Sequence, residues 1–332
     1  MTGGDVIEAV VKSVIIIVAL LTAFAYMTLY ERRILGRIQV RNGPNRVGPA
    51  GLLQPVADGV KLAFKQAITP RGVDKPLYLL APAISVVTAL SAFAVIPVGP
   101  TYNIFGRAIP FHLADFNVGL LFVLAMSSLG AYGIVLAGYA SNNKYSLLGG
   151  LRAAAQLISY ELSLGLSLVG ILMLSGSLSL TTIVDSQSRG LWFIILQPIA
   201  FVIFLISAIA ETNRAPFDLV EAEQELVGGY HTEYTGLRFA LFFMAEYINM
   251  VTVSALVATL FLGGWRGPFD LLSGPWWLLI KIIAVLTFYV VLRATLPRLR
   301  YDQLMRLGWH WLLPIALLNV VLTAIGITLF GG

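Results

Sequence analysis

The 332-residue chain contains no cysteine. That excludes disulfides, thiolate metal sites and any iron–sulfur cluster ligated by this chain. Histidine is nearly missing as well. His112, His231 and His310 are the only three, and all fall in loops or at helix ends, a poor arrangement for haem within a bilayer. No metal site is expected: His231 with Glu233 is only a weak likeness of a metal pair. The Gly/Pro-rich run RNGPNRVGPAG lacks the Gly-Lys-Ser/Thr ending of a phosphate loop. Charge is scarce too. Charged residues make up 12% of the chain and hydrophobic ones 58%, with a mean hydropathy of +0.84, beyond what a soluble domain carries.

What is present is long apolar runs, each able to cross roughly 30 Å of hydrocarbon. Eight occur, near 6–30, 77–98, 114–139, 151–175, 191–212, 237–262, 275–296 and 309–330. The expected fold class is an all-α polytopic membrane protein with eight transmembrane helices, one membrane domain over 1–332. A cleavable leader competes for the first run, because Ala23-Phe24-Ala25 mimics a cleavage site. Asp5 and Glu8 beside a single Lys12, and an apolar run continuing to Tyr30, favour a retained helix. Seventeen of the 22 Lys and Arg fall in or beside the loops after the first, third, fifth and seventh runs. Short basic loops stay cytoplasmic, so both termini are expected outside. The net charge of +5 thus concerns topology and surface contacts, and a nucleic-acid partner has no support.

Three cytoplasmic loops look structured. In the first, Leu52, Leu53, Val56, Val60, Ala63, Phe64 and Ala67 recur at helical spacing, with Asp58, Lys61 and Lys65 opposite. That predicts an amphipathic helix on the membrane surface, either a strut between the first two spans or a binding element as well. The second, KYSLLGGLRAAAQ, carries Lys144 and Arg152. The third is acidic: seven of the chain's 17 carboxylates lie between Glu211 and Glu246. Pro216 suits a first helical position, Asp218, Glu221 and Glu225 would share one face, and Gly228-Gly229 would stop the helix. Alone, this is a solvated cap. Two further acids change that reading, because Glu161 and Glu246 lie deep in apolar runs. A carboxylate in hydrocarbon costs roughly 2.5 to 3.5 kcal/mol, and intramembrane acids commonly mark proton paths. A carboxyl hydrogen-bonded between helices is the plainer alternative. Lys144, Arg152, Arg293, Arg298 and Arg300 are the natural counter-charges on the same side.

Five ordered segments carry a resemblance. They are ERR…RNGPNRVGPAGLLQPVADGVKLAFK (31–65), GYASNNKYSLLGGLRAAAQLISYE (138–161), AETNRAPFDLVEAEQELVGGYHTEY (210–234), ALFFMAEY (240–247) and RLRYDQLM (298–305). Together they resemble the H-subunit family of respiratory complex I, the membrane component at the quinone end of proton-pumping NADH:quinone oxidoreductase. The resemblance implies eight spans plus a surface helix, at the junction of the redox and membrane arms. It implies no redox cofactor on this chain, with quinone (ubiquinone or menaquinone) as substrate in a tunnel shared with neighbours. It places Arg32, Arg33, Arg37, Arg41, Arg46, Asp58 and Phe64 in the quinone-access loop. Glu161, Glu211, Asp218, Glu221, Glu223, Glu225 and Glu246 fall in its acidic proton path, with Arg214 and Arg293 as basic partners. Expected partners are the other complex I subunits, hydrophilic and antiporter-like, in the bacterial inner membrane.

Two positions depart from that pattern. Ser127-Ser128-Leu129-Gly130 stands where many bacterial members carry a glutamate on the third helix, and Val220 where a proline is common. Rival readings are a membrane anchor of a hydrogenase-type oxidoreductase, a stand-alone cation/proton antiporter, and a purely structural anchor. The mid-membrane acids argue against the last.

Overall fold

Hydrocarbon offers no partner to backbone N–H and C=O groups, so an apolar chain must close its hydrogen bonds within helices. The computed structural model describes residues 3–104, 107–189, 191–219, 228–268 and 273–330. Among these, seven helical spans are long and apolar enough to cross a membrane. Five of them are α1 (Gly3–Ile38), α3 (Lys75–Phe93), α4 (Gly119–Ala140), α5 (Lys144–Ser175) and α9 (Leu237–Phe261). The sixth is α10 (Pro275–Thr295). The seventh runs from α11 (Tyr301–Arg306) through a π-helical turn, Leu307–Leu312, into α12 (Leu313–Phe330).

Several helices outrun the apolar stretches that announce them. α1 continues to Ile38, past the expected end at Tyr30, and α5 begins at Lys144 rather than 151. These polar extensions find partners: Glu31 is 4% exposed, buried among basic side chains. The run 191–212, expected as one helix, is instead broken. α7 (Phe193–Leu196) ends at Gln197, whose backbone leaves the helical region (φ −130, ψ 56), and α8 (Pro198–Glu211) follows with 14 residues. Pro198 explains the break, since proline has no N–H and disfavours helical geometry in the residue before it. The Gln197 amide is buried there, donating to Thr323 Oγ1 and accepting from Asn319 Nδ2, each at 2.9 Å.

The helix expected to begin at Pro216 is likewise corrected. Residues 212–219 form turns, with a cis Ala215–Pro216 bond. Tertiary donors claim the carbonyls a helix would use: Leu299 N–H donates to Pro216 O at 3.1 Å, and Gln156 Nε2 donates to Phe217 O at 3.0 Å. Two short antiparallel strands, β1 (Tyr102–Ile104) and β2 (Arg107–Ile109), interrupt the helical pattern. α2 (Gln54–Phe64) forms in the first loop and touches α1 and α9. Its apolar Val56, Val60 and Phe64 are exposed.

The spans pack in chain order, α3 on α4 on α5 on α8, while α9 closes back on α3 and α10, and α12 lies on α5. α9 is central and α1 peripheral: 67% of the apolar window of α9 is buried, against 6% in α1. Glycine sets how closely α4 approaches its neighbour. A Cβ on Gly133 would stand 2.1 Å from Ser85 Oγ and 3.0 Å from Ala81 O of α3. At the basic end the loops interlock, Asp74 N–H donating to Ala140 O at 3.1 Å and Ser146 Oγ to Gly229 O at 3.1 Å. α9 itself packs against α1.

Candidate functional site

The end of α1, the turn after α8, and helices α9 and α10 each send a charged or phenolic group to one point, buried except on the side of Arg293, which is exposed. Glu31 Oε1 takes Arg214 Nη1 at 3.5 Å and is paired directly with Arg293 Nη1, while Tyr247 OH donates to Glu31 Oε2 at 2.6 Å. Arg214 Nε lies 2.7 Å from Glu246 Oε1, an ion pair outside hydrogen-bond alignment. The Arg214 guanidinium also sits 4.4 Å above the Tyr247 ring, a cation–π contact. Two carboxylates and two guanidiniums balance, which is the condition under which buried charge persists. Burial opposes the charge on Arg214, but Glu246 foremost, with Tyr247 and Glu31, holds its pKa above the usual value. Asp218 flanks the cluster through Arg298 Nη2 at 2.9 Å. Among the described residues, Asp218 Oδ1 and Arg214 Nη2 are buried without hydrogen-bond partners.

A second acid pair lies at α4. Ser128 Oγ donates to Glu161 Oε1, and its neighbour Ser127 Oγ donates to Glu211 Oε1. Gln156, one turn before Glu161 on α5, donates to Ala210 O at 2.8 Å and so fixes the end of α8 that carries Glu211. A cavity of about 80 Å³ links the two acid groups; Ser127, Glu211, Asn213, Glu246 and Asn249 line it. That room suits a few water molecules, since one needs roughly 10 to 15 Å³ by this measure.

The access loop forms a third assembly. Arg32 Nη1 pairs with Asp58 Oδ2 at 2.9 Å, and Lys61 Nζ with Asp58 Oδ1 at 3.3 Å, joining α1 to α2. Burial alone would raise the Asp58 carboxyl; the Lys61 hydrogen bond and the Arg32 charge hold it below its ordinary value. Arg33 caps Ala50 O across the loop. Arg41 Nε donates to Gln39 Oε1 at 2.7 Å, and Arg37, Arg41, Arg46 and Phe64 are exposed. Beside this loop an apolar groove of about 1120 Å³ opens between α1 and α10, lined by Ile15, Tyr26, Arg33, Leu279, Ile283 and Leu286 among others.

The predicted residues thus divide. Glu246 joins Arg214 and Arg293 in one cluster and Glu161 joins Glu211 near another, while Asp218 pairs with Arg298. Of the first-loop residues that the resemblance singles out, Arg33 lines the groove, together with Leu52 of the same loop. Glu221, Glu223 and Glu225 lie outside the described residues. Glu31, Tyr247, Ser127 and Ser128 were not singled out by sequence reasoning as site residues. Glu31 opens the ERR run just past the first apolar stretch and reads there as loop charge, although an acid beside two arginines is itself a signal of pairing.

The family model described as NADH dehydrogenase matches residues 11–324. Curated relatives align along nearly the full length of both chains. A protein of Thermomicrobium roseum is 59% identical over 92% of this chain and 92% of its own, and is named as the H subunit of NADH-quinone oxidoreductase. One from Geobacter sulfurreducens, also named as an H subunit of NADH-quinone oxidoreductase, is 57% identical over 94% of each chain. A third, from Geobacter metallireducens and named in the same way, is 55% identical over 96% of each. A match from near one end to the other, in a polytopic helical chain whose buried charges sit on the segments that carry the resemblance, fixes the assignment: the chain belongs to the NADH dehydrogenase family, alongside the membrane proteins named as H subunits of NADH-quinone oxidoreductase.

Proposed function

We propose that the chain is the quinone-end membrane subunit of a proton-translocating NADH:quinone oxidoreductase, a translocase, and carries no redox cofactor itself. Electrons arrive on other subunits. Ubiquinone or menaquinone is a substrate held in a tunnel shared with hydrophilic neighbours, and antiporter-like membrane subunits flank the chain. It lies in the inner (plasma) membrane with both termini outside. α7 and α8 together make the eighth crossing: residues 193–211 amount to roughly 28 Å at about 1.5 Å per residue. α2 rests on the cytoplasmic surface, its exposed Val56, Val60 and Phe64 toward the acyl chains.

The observation that carries this reading is the meeting of the groove with the charge cluster. Arg33 lines the groove two residues from Glu31, which binds Arg214, Arg293 and Tyr247. A quinone whose isoprenoid tail enters the groove brings its head group toward the arginine-rich end of α1. Reduction takes two electrons and two protons per quinone, and the charge that appears before protonation bears on the nearest ion pairs. Acids packed this closely titrate as a coupled group, so a change at Glu31 alters Glu246 through their shared Arg214. The water-sized cavity then leads from Glu246 to Glu211, and Ser127 and Ser128 bring Glu161 alongside. Asp218, and with it Glu221, Glu223 and Glu225, belong to the same acidic line in this proposal.

Glu161→Gln tests it. The variant complex should assemble yet show depressed NADH:quinone reduction and proton pumping, measured on affinity-purified complex and in vesicles. Normal turnover and pumping would count against the proposal. A tagged chain that co-purifies with a nickel hydrogenase, or alone as an ion exchanger, would overturn it.

A further inference from the structure

α4 carries no charged side chain from Gly119 to Ala140, yet it touches two partly buried acids. Near its midpoint, consecutive hydroxyls leave the helix toward different neighbours, Ser127 to Glu211 at the end of α8 and Ser128 to Glu161 within α5. Consecutive Cα atoms are about 3.8 Å apart, so the two carboxyls are drawn to one level of the bundle. The rotation of α4 that makes this possible is set by packing on both sides. Gly133 lies against Ser85 and Ala81 of α3, and a Cβ on Gly138 would stand 2.7 Å from Ser146 O and 3.2 Å from Gly150 Cα of α5. A turn of the helix in either direction would swing both hydroxyls away from their acids.

From this geometry we infer that Ser127 and Ser128 are paired positioning residues that tie Glu211 and Glu161 into one titrating unit. A hydroxyl suits the task because it works in both directions: it donates to a carboxylate and accepts from a protonated carboxyl. Each acid keeps its place through a protonation cycle, which neither an apolar side chain nor a fixed charge would allow. Ser128 Oγ has Leu124 O as a second acceptor at 3.1 Å, so its hydrogen has a resting partner when the Glu161 carboxyl is itself the donor. Among the described residues, other titratable groups near the pair are Glu246 and Tyr230, which line the same cavity, and Tyr289 of α10, within electrostatic range of Glu211. The inference rests on the proposed proton-path reading, and it adds two residues in place of a carboxylate on this helix.

The test uses the whole purified complex. Ser127→Ala, Ser128→Ala and the double variant are compared with the threonine variants at the same positions, with Glu161→Gln run in parallel. Assembly is followed by native electrophoresis and by NADH oxidation with a hydrophilic acceptor. The double alanine variant should assemble, lose quinone-reductase turnover about five- to tenfold, the equivalent of about 1 to 1.4 kcal/mol and of one ordinary net hydrogen bond, and shift the pH profile of turnover. Threonine, which keeps the hydroxyl, should restore both rate and profile. Wild-type rate and profile in the double alanine variant, or threonine as damaging as alanine, would overturn the inference. If Glu161→Gln is impaired while the serine variants are not, the serine pair alone fails. If Glu161→Gln is itself unimpaired, the parent reading fails.

Discussion

Arg214 stands between two acids, 3.5 Å from Glu31 and 2.7 Å from Glu246, and 4.4 Å over Tyr247. Removing one member of a buried ion cluster strands the others, so the size of the effect depends on which charge is lost. Arg214→Gln leaves two buried carboxylates facing one guanidinium and should destabilise the chain by about 3 to 5 kcal/mol. Arg214→Gln combined with Glu246→Gln restores charge balance and should cost less than the single change. Thermal unfolding of the purified complex, together with its yield, distinguishes the two. Tyr247→Phe removes only the 2.6 Å hydrogen bond to Glu31, an expected loss of about 1 to 2 kcal/mol. Glu246 was legible in the sequence because an acid interrupts the run ALFFMAEY. Glu31 was not, because its burial depends on α1 continuing past the apolar stretch to meet arginines more than 180 residues away.

Between residues and the whole, elements are fixed by close contact. Gly133→Ala places a Cβ 2.1 Å from Ser85 Oγ, and overpacking of that kind costs about 1 to 3 kcal/mol. Ser85→Ala in the same chain should recover part of it, read by thermal unfolding. The 228–236 segment offers a different lever. His231 sits among the rings of Tyr230, Phe239 and Phe243, with centroids 5.1, 5.2 and 6.3 Å away. Burial pushes its imidazole from 6.5 down to about 4. The opened segment therefore binds a proton between pH 6.5 and about 4 that the packed one refuses, so its stability is complete above 6.5 and falls as pH drops through that window. Protection of the amides in residues 228–236, taken relative to the intrinsic exchange rate at each pH, should fall from pH 7 to 5, and His231→Phe should flatten the trend. Periodicity and turn chemistry made α2 and the long spans legible. They failed at Pro216, where the pattern of a helix start is overridden by Gln156 and Leu299 taking up the carbonyl groups of Phe217 and Pro216. They failed again at Gln197, whose side chain is held by Asn319 and Thr323 of a distant helix.

At the scale of the molecule, α1 is the least buried of the seven described spans. It meets the body mainly through α9 and α10, yet its basic end is anchored by Glu31, by Arg32 to Asp58, and by Tyr30 OH with Thr287 Oγ1 at 2.7 Å. Its N-terminal end is anchored separately, Lys12 Nζ donating to Pro110 O at 2.8 Å. A helix pinned at both ends and open between them leaves a slot facing the bilayer, and the groove of about 1120 Å³ is that slot. A soluble head group could reach the charge cluster from the basic end of the bundle, but a long isoprenoid tail needs an apolar passage from the lipid. The two routes make opposite predictions for a plug. Ile283→Trp, at an exposed position on the groove wall ten residues along α10 from Arg293, fills the groove beside α1. Its KM for a long-tailed quinone should rise several-fold while oxidation of NADH by a hydrophilic acceptor stays unchanged. A short-tailed quinone, which needs little of the groove, should be affected less. Equal losses for both quinones would mean that the tryptophan disturbs the charge cluster rather than the passage. No loss for either would place the access route elsewhere than between α1 and α10.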